Sequence, residues 1–126
     1  MIRHRRGMSL VEVMVVIAIM LVLMTVIGFG AIQVGRGAKV DMTELALAGT
    51  AKDVDVYAFR KGVPTTSQGL AAVYGEHRIP ADGWGAPIGY EAPGPATRQY
   101  DLLSLGEDGA VGGDSFASDI RWSESQ

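Results

Sequence analysis

The pattern of apolar and polar residues changes near residue 33. From Val13 to Ile32, 20 consecutive residues carry no charge, and Thr25 is the only polar side chain among them. As an α-helix, a run of this length rises about 30 Å, the thickness of the hydrocarbon core of a bilayer. The pattern therefore predicts a membrane-spanning helix.

A different pattern follows the apolar run. Five apolar residues recur there at mostly helical spacing: Val40, Leu47, Ala51, Val54 and Ala58. Charged residues occupy the other faces, so we predict one helix from Ser9 to about Lys61, with its second half packed on a small core. Four glycines lie in its middle: Gly28, Gly30, Gly35 and Gly37. They favour either a soft point in the helix or close packing against another helix.

The remaining residues predict a small antiparallel sheet. Gly62 and Pro64 end the long helix, and Thr65 with Gln68 has the form of a capping box, which predicts a short helix from there to about Tyr74. Turn residues bracket three short apolar segments, which we predict to be strands: Ile88–Glu91, Tyr100–Leu105 and Ile120–Ser123. The predicted fold class is α+β, with the long N-terminal helix packed on this sheet.

Charge and composition narrow the function. The net charge is −3, and removing the three arginines of the first seven residues would leave −6. The acidic remainder argues against nucleic-acid binding, which needs a basic face. The basic start should stay in the cytoplasm and send the rest of the chain across the membrane. Cysteine is absent, and His4 and His77 have no motif partner, so we predict no disulfide and no enzymatic activity.

Two ordinary interpretations of the N-terminus, a secretory signal peptide and a single-pass anchor, do not explain Glu12. A secretory signal peptide has an apolar stretch of about 7–15 residues, which is shorter than the run found here. An ordinary single-pass anchor fits the length, but it gives no reason for a carboxylate at the start of the span. Such a group usually has a partner in the membrane, although a charge near the bilayer edge can also reach water.

The residues Arg5-Arg-Gly-Met-Ser-Leu-Val-Glu12, followed by the apolar run, resemble the class III signal of type IV pilins and pseudopilins. This resemblance implies a pilin-like fold and cleavage between Gly7 and Met8 by a prepilin peptidase. It also implies methylation of the new N-terminus and a retained Glu12, which pairs with the amino group of a neighbouring subunit. Met8 is a departure, since the family more often has Phe there. We accordingly divide the chain into a leader (1–7), a membrane and filament helix (8–35) and a periplasmic domain (36–126).

Four later blocks resemble the major pseudopilins of type II secretion systems. They are Val63–Leu70, Asp82–Pro87, Tyr90–Gly94 and Tyr100–Gly109. The resemblance implies a structural subunit anchored in the bacterial inner membrane. Copies would form a periplasmic filament that helps to export folded proteins, together with minor pseudopilins and an inner-membrane secretion platform. Two alternatives stay open: a type IV pilus subunit, which the lack of cysteine disfavours, and an anchored calcium-binding protein without a filament.

The C-terminal loop from Leu105 to Asp119 is the one candidate metal site. Its acids and glycines suit Ca²⁺, but the spacing is not that of an EF-hand, and composition alone favours a solvated acidic loop. The resemblance implies a calcium ion held by Asp108, Asp119 and the carbonyl of Leu105. Many relatives have an acid at the position of Ala117, so Asp114 and Ser118 are candidates to replace it.

Overall fold

The structure is a computed structural model that describes residues 8–125. Gly7, on the leader side of the predicted cleavage site, lies outside these residues. The chain divides between Gly35 and Arg36 into two compact units, which are described separately below. The first is the apolar part of the long helix, and the second contains the sheet.

The long helix, α1, spans Leu10–Lys61, within one residue of its predicted start. All four glycines near its middle are helical, so the predicted soft point is not a break in the helix. In the apolar part, the hydroxyl of Thr25 donates to the carbonyl oxygen of Val22 at 2.7 Å and to that of Leu21 at 3.1 Å. The one polar side chain of the apolar run is therefore satisfied within its own helix, as a membrane requires.

The second helix, α2, is shorter than predicted and spans Ala71–Tyr74. Only half of the capping box forms: the backbone N–H of Thr65 donates to Oε1 of Gln68 at 3.0 Å, whereas the Gln68 N–H donates to the Thr65 carbonyl at 3.0 Å. Gly69 then has a φ of +55°, which a right-handed helix does not allow. The predicted helix start at Thr65 is therefore wrong, and those residues form a turn that precedes α2.

Three antiparallel strands follow, in the order β1-β2-β3. They span Gly89–Glu91 (β1), Asp101–Ser104 (β2) and Ile120–Arg121 (β3). The predicted third strand was too long, because Trp122–Glu124 form a 3₁₀ turn. The N–H of Ser123 there donates to the carboxylate of Asp101 at 3.0 Å instead of continuing the ladder. The predicted α+β class, a long helix and a small antiparallel sheet, is confirmed.

The core of the second unit is small. Six residues form it, three from α1 and three from the segments packed on that helix: Leu47, Ala51, Val54, Leu70, Ile88 and Leu102. Leu102 of β2, the central strand, is fully buried. A small domain buries a smaller share of its surface than a large one, which is consistent with so few fully buried apolar side chains.

Tyrosines fasten the sheet and α2 to α1. The hydroxyl of Tyr100 donates to Asp55 at 2.6 Å, and its ring stacks on that of Tyr90 with centroids 5.8 Å apart. The hydroxyl of Tyr74 donates to Asp53 at 2.5 Å. Burial, and then the hydrogen bond to Asp53, raise the pKa of Tyr74 to about 12. Burial and the bond to Asp55 raise the pKa of Tyr100 as well.

Candidate functional site

The first candidate site is the N-terminal part of α1. Met8 and Glu12 are exposed, and Glu12 lies in the first turn, where the partial positive charge of the helix end favours a carboxylate. The most apolar stretch of 18 residues in α1 has a mean hydropathy of 3.0, and none of it is buried. By length and composition, α1 can cross a membrane. An uncovered apolar surface of this size needs lipid or other helices around it.

The C-terminal loop, residues 105–119, is closed by backbone contacts. The N–H of Glu107 donates to the carbonyl of Phe116 at 3.0 Å. Gly106 has a φ of +68°, and a Cβ on it would lie 2.7 Å from the carbonyl oxygen of Ser118. Only glycine therefore allows the two ends of the loop to come this close.

The predicted metal ligands differ in their surroundings. Oδ2 of Asp119 accepts the N–H of Gly112 at 3.1 Å, whereas its Oδ1 is buried and has no hydrogen-bond partner. Asp108 is exposed, and its carboxylate accepts the N–H of Ala110 at 3.1 Å in a local turn. Asp114 is exposed, at the start of the 3₁₀ turn Ser115–Ala117. Two further candidates are half-buried: Leu105 and Ser118.

These side chains do not form a ready-made acidic cluster. Within residues 8–125, no three Asp, Glu or His side chains are grouped so that they could hold a metal ion. One observation nevertheless fits a cation. A buried carboxylate oxygen without a partner is costly, and Oδ1 of Asp119 is such an atom. A carboxylate oxygen is a hard ligand of the kind that Ca²⁺ prefers.

Arg36 attaches the C-terminal loop to α1. Its Nε lies 3.2 Å from a carboxylate oxygen of Glu107, and its guanidinium lies 6.0 Å from the ring centroid of Phe116. Arg36 cannot be recognised from the sequence, because a single arginine gives no sign of partners so far away in the chain. Arg36 is the first residue of the second unit, so the loop is held at the beginning of that unit.

A second contact with α1 involves the block Asp82–Pro87. The carboxylate of Asp82 accepts the N–H groups of Trp84 and Ala86 at 3.0 and 2.9 Å, and it accepts the hydroxyl of Ser104 at 2.6 Å. The N–H of Gly83 donates to the hydroxyl of Thr43 in α1 at 2.9 Å. The local sequence does not reveal that this segment docks on the helix.

Comparisons with known protein families agree with this arrangement. A family model for type II secretion system (T2SS) protein G matches residues 71–123. A model for the prokaryotic N-terminal methylation motif matches residues 2–28. The second match includes the predicted cleavage site and Glu12.

Curated relatives match almost the whole chain. The T2SS core protein G of Pseudomonas aeruginosa is 30% identical, over 94% of this chain and 94% of its own length. That of Vibrio cholerae is 31% identical, over 94% and 91%. That of Xanthomonas campestris pv. campestris is 28% identical, over 92% and 88%.

A solved structure gives the same result. The major pseudopilin of the T2SS of enterohaemorrhagic Escherichia coli matches with a TM-score of 0.58 and 25% identity, over 69% of this chain and 89% of that one. An N-methylation motif, an apolar helix and a small α+β domain define a class, the pilin-like subunits of filaments. Within that class, the chain belongs to the T2SS protein G family, the major pseudopilins.

Proposed function

We propose that this chain is the structural subunit of the periplasmic pseudopilus of a type II secretion system. Copies assemble into a helical filament that helps to export folded proteins. The proposal rests on the T2SS core protein G relatives. One of them is 30% identical to this chain over 94% of both chains. The two alternatives, a type IV pilus subunit and an anchored calcium-binding protein without a filament, have less support because the relatives are T2SS proteins.

The apolar surface of residues 8–35 gives assembly its driving force. Before assembly, the bilayer covers this surface; in the filament, the helices of other subunits do so. Glu12 then pairs with the methylated amino group of Met8 in a neighbouring subunit. Opposite charges attract strongly among apolar side chains, and one left alone there is costly, so the pair sets the register between subunits.

The partners and the location follow from this role. A prepilin peptidase cuts between Gly7 and Met8. Before assembly, the mature chain is a single-pass protein of the inner membrane, with residues 36–126 in the periplasm. Minor pseudopilins and an inner-membrane platform take part in assembly. The subunit itself performs no catalysis.

The test is the change Glu12→Ala in the full chain, in cells that contain the secretion system. We expect normal processing and membrane abundance, because the apolar run drives insertion, but at least a tenfold lower yield of sheared filaments. Glu76→Ala is the matched control, because Glu76 is an exposed acid of the second unit. Normal filaments from Glu12→Ala would contradict the register role.

We further propose that the C-terminal loop binds Ca²⁺. Asp119 would be the central ligand, because its Oδ1 is buried without a partner. Asp108, the carbonyl of Leu105, and Asp114 or Ser118 would complete the set. When bound, the ion supplies positive charge that compensates these oxygens, and it thereby orders a loop rich in glycine.

Thermal unfolding of the full chain in detergent tests this proposal. Binding to the folded state alone adds about 2.7 kcal/mol at a hundredfold excess over Kd, so calcium should raise Tm by roughly 10 °C relative to chelator. Asp119→Asn should abolish the rise, whereas Asp41→Asn, an exposed acid outside the loop, should retain it. If calcium leaves the Tm of the wild type unchanged, the loop does not bind the ion and is only a solvated acidic turn.

A further inference from the structure

Asp82 and Ser104 form a buried hydrogen-bonded pair outside the set of candidate metal ligands. Ser104 is 1% exposed and Asp82 is 7% exposed. The hydroxyl of Ser104 donates to Oδ2 of Asp82 at 2.6 Å, although the two residues lie 22 positions apart in the chain. Replacing both partners of a buried hydrogen bond by apolar groups is often nearly neutral. The stability of the core alone therefore gives little reason for this pair.

The carboxylate of Asp82 is held firmly by its own segment of the chain. Its Oδ1 accepts two backbone N–H groups of that segment, at 3.0 and 2.9 Å. The N–H of the next residue, Gly83, donates to the hydroxyl of Thr43 in α1 at 2.9 Å, so the segment is also attached to the long helix. Among residues 8–125, Asp82 takes part in no salt bridge. Its Oδ2 is therefore a fixed acceptor whose partner is the hydroxyl of Ser104.

Ser104 lies at the base of the C-terminal loop. It is the last residue of β2 and pairs with Ile120, the first residue of β3. The loop 105–119 therefore leaves the sheet directly after Ser104 and returns to it directly before Ile120. Two candidate ligands occupy these end positions, Leu105 at the start and Asp119 at the return. The position of Ser104 consequently affects both ends of the proposed site.

The hydroxyl oxygen of Ser104 also contacts the loop itself. It accepts the N–H of Gly106 at 3.3 Å. This N–H and the carbonyl of Leu105 belong to the same planar peptide group, so a bond that orients one of them orients the other. Gly106 in turn lies against the returning end of the loop, where a Cβ on it would be 2.7 Å from the carbonyl oxygen of Ser118.

We propose that Asp82 is a positioning residue for the proposed calcium site, and that it acts through Ser104. The fixed Oδ2 of Asp82 holds the hydroxyl of Ser104, and the hydroxyl oxygen holds the peptide group that contains the carbonyl of Leu105. A ligand that is oriented in advance binds more tightly, because less conformational freedom is lost on binding. Loss of a group that orients a metal ligand typically lowers the affinity about 10–100-fold. The inference rests on the proposed calcium binding.

Calorimetric titration with Ca²⁺ measures this effect. The full chain is titrated in detergent, well below the Tm of each variant. Ser104→Ala removes the hydroxyl, whereas Asp82→Asn replaces the acceptor Oδ2 by an NH₂ group and keeps one oxygen for the two N–H groups. Each change should raise Kd at least about tenfold. The double variant should raise Kd no further than the stronger single variant, because residues that act through one contact are not additive.

Val54→Ala is the control for general loss of stability. Val54 is fully buried in the core and takes no part in these hydrogen bonds. Its substitution should lower Tm equally with calcium and with chelator, and it should keep the Kd of the wild type. Ser104→Ala should instead lower Tm more with calcium than with chelator, because it weakens binding as well as folding. A hydroxyl with a merely structural role would lower the two Tm values equally.

The outcomes separate this inference from the calcium proposal. If the wild type binds calcium and either Ser104→Ala or Asp82→Asn keeps its Kd, the positioning role is overturned while calcium binding stands. A rise in Kd for Val54→Ala as large as that for Ser104→Ala would overturn it as well. If the wild type does not bind calcium, both proposals are overturned. Should Ser104→Ala fail to fold, Asp82→Asn decides, because it retains the hydroxyl and the side-chain volume.

Discussion

At the scale of single residues, Asp101 shows how this small domain holds its C-terminus. It is 1% exposed, and its carboxylate accepts the N–H of Leu102 and both the N–H and the hydroxyl of Ser123 at 2.9–3.0 Å. Nη1 of Arg121 lies 3.3 Å away. A buried charge is tolerated only when it is paired and hydrogen-bonded in this way.

Asp101→Ala should therefore destabilise the second unit strongly. It leaves the groups around Ser123 and Arg121 without their acceptor, and we expect a loss of about 3 kcal/mol. For a domain of this size, that lowers Tm by roughly 10 °C or more. The control is Glu91→Ala: its carboxylate lies 3.5 Å from Arg121, but its side chain is 57% exposed, so about 0.5 kcal/mol is expected. Equal losses in thermal unfolding would contradict this ranking.

The phenol of Tyr74 makes the free energy of unfolding depend on pH in the alkaline range. Its pKa is raised from 10.0 to about 12 in the folded state, by burial and by the hydrogen bond to Asp53. Below pH 10, the phenol is protonated in both the folded and the unfolded states. Above pH 10, the unfolded chain loses the proton first, so stability falls as pH rises towards 12.

Tyr74→Phe should remove this part of the alkaline loss. We expect the free energy of unfolding to fall less between pH 9 and pH 11 than in the wild type, by at most about 1 kcal/mol because the phenol is partly exposed. The control is Tyr57→Phe, which removes a hydroxyl that makes no hydrogen bond among the described residues. An identical pH profile for wild type and Tyr74→Phe would refute the assignment.

At the scale of elements, the long helix was predictable, whereas the limits of two shorter elements were not. The start of α1 was predicted within one residue, because a long apolar period is a strong signal. The predicted start of α2 was wrong, because Gly69 adopts a left-handed backbone conformation that prevents a helix from continuing past the capping box. The predicted end of β3 was wrong, because the N–H of Ser123 donates to the buried carboxylate of Asp101 and not to the neighbouring strand. The first error comes from a backbone conformation and the second from a long-range contact, and local sequence reveals neither.

Contact between α1 and the block Asp82–Pro87 can be tested at Gly83. A Cβ on Gly83 would collide with the backbone carbonyl of Lys39 in α1. Neither backbone can shift cheaply, so Gly83→Ala should cost about 1–3 kcal/mol. Gly49→Ala, in the same helix, should raise the stability of the single chain by up to about 1 kcal/mol, since its Cβ meets nothing. Thermal unfolding of the two variants in detergent should therefore show shifts of opposite sign, and a neutral Gly83→Ala would exclude the close contact.

At the scale of the whole molecule, the family was predictable because its signals are spread along the chain. The motif that ends in Glu12 needs position, charge and length to agree, and the blocks after Val63 occur in the expected order. The proposed calcium site was less predictable, because the positions of its candidate ligands depend on how the loop folds. The orphaned oxygen of Asp119 and the contact between Arg36 and Glu107 arise only in three dimensions.

Processing of the N-terminus distinguishes a filament subunit from a secreted domain. The proposed cut after Gly7 falls within the methylation motif matched over residues 2–28, and it would leave the apolar part of α1 intact for the filament. Mass spectrometry of the mature protein should show a methylated N-terminus at Met8. Gly7→Leu should block the cut and retain the three leader arginines. The protein should then stay in the membrane without forming filaments, because the nitrogen of Met8 remains in a peptide bond and provides no free amino group to pair with Glu12. A mature N-terminus near Ala31 would instead mean removal as an ordinary signal peptide, which leaves no apolar helix to assemble.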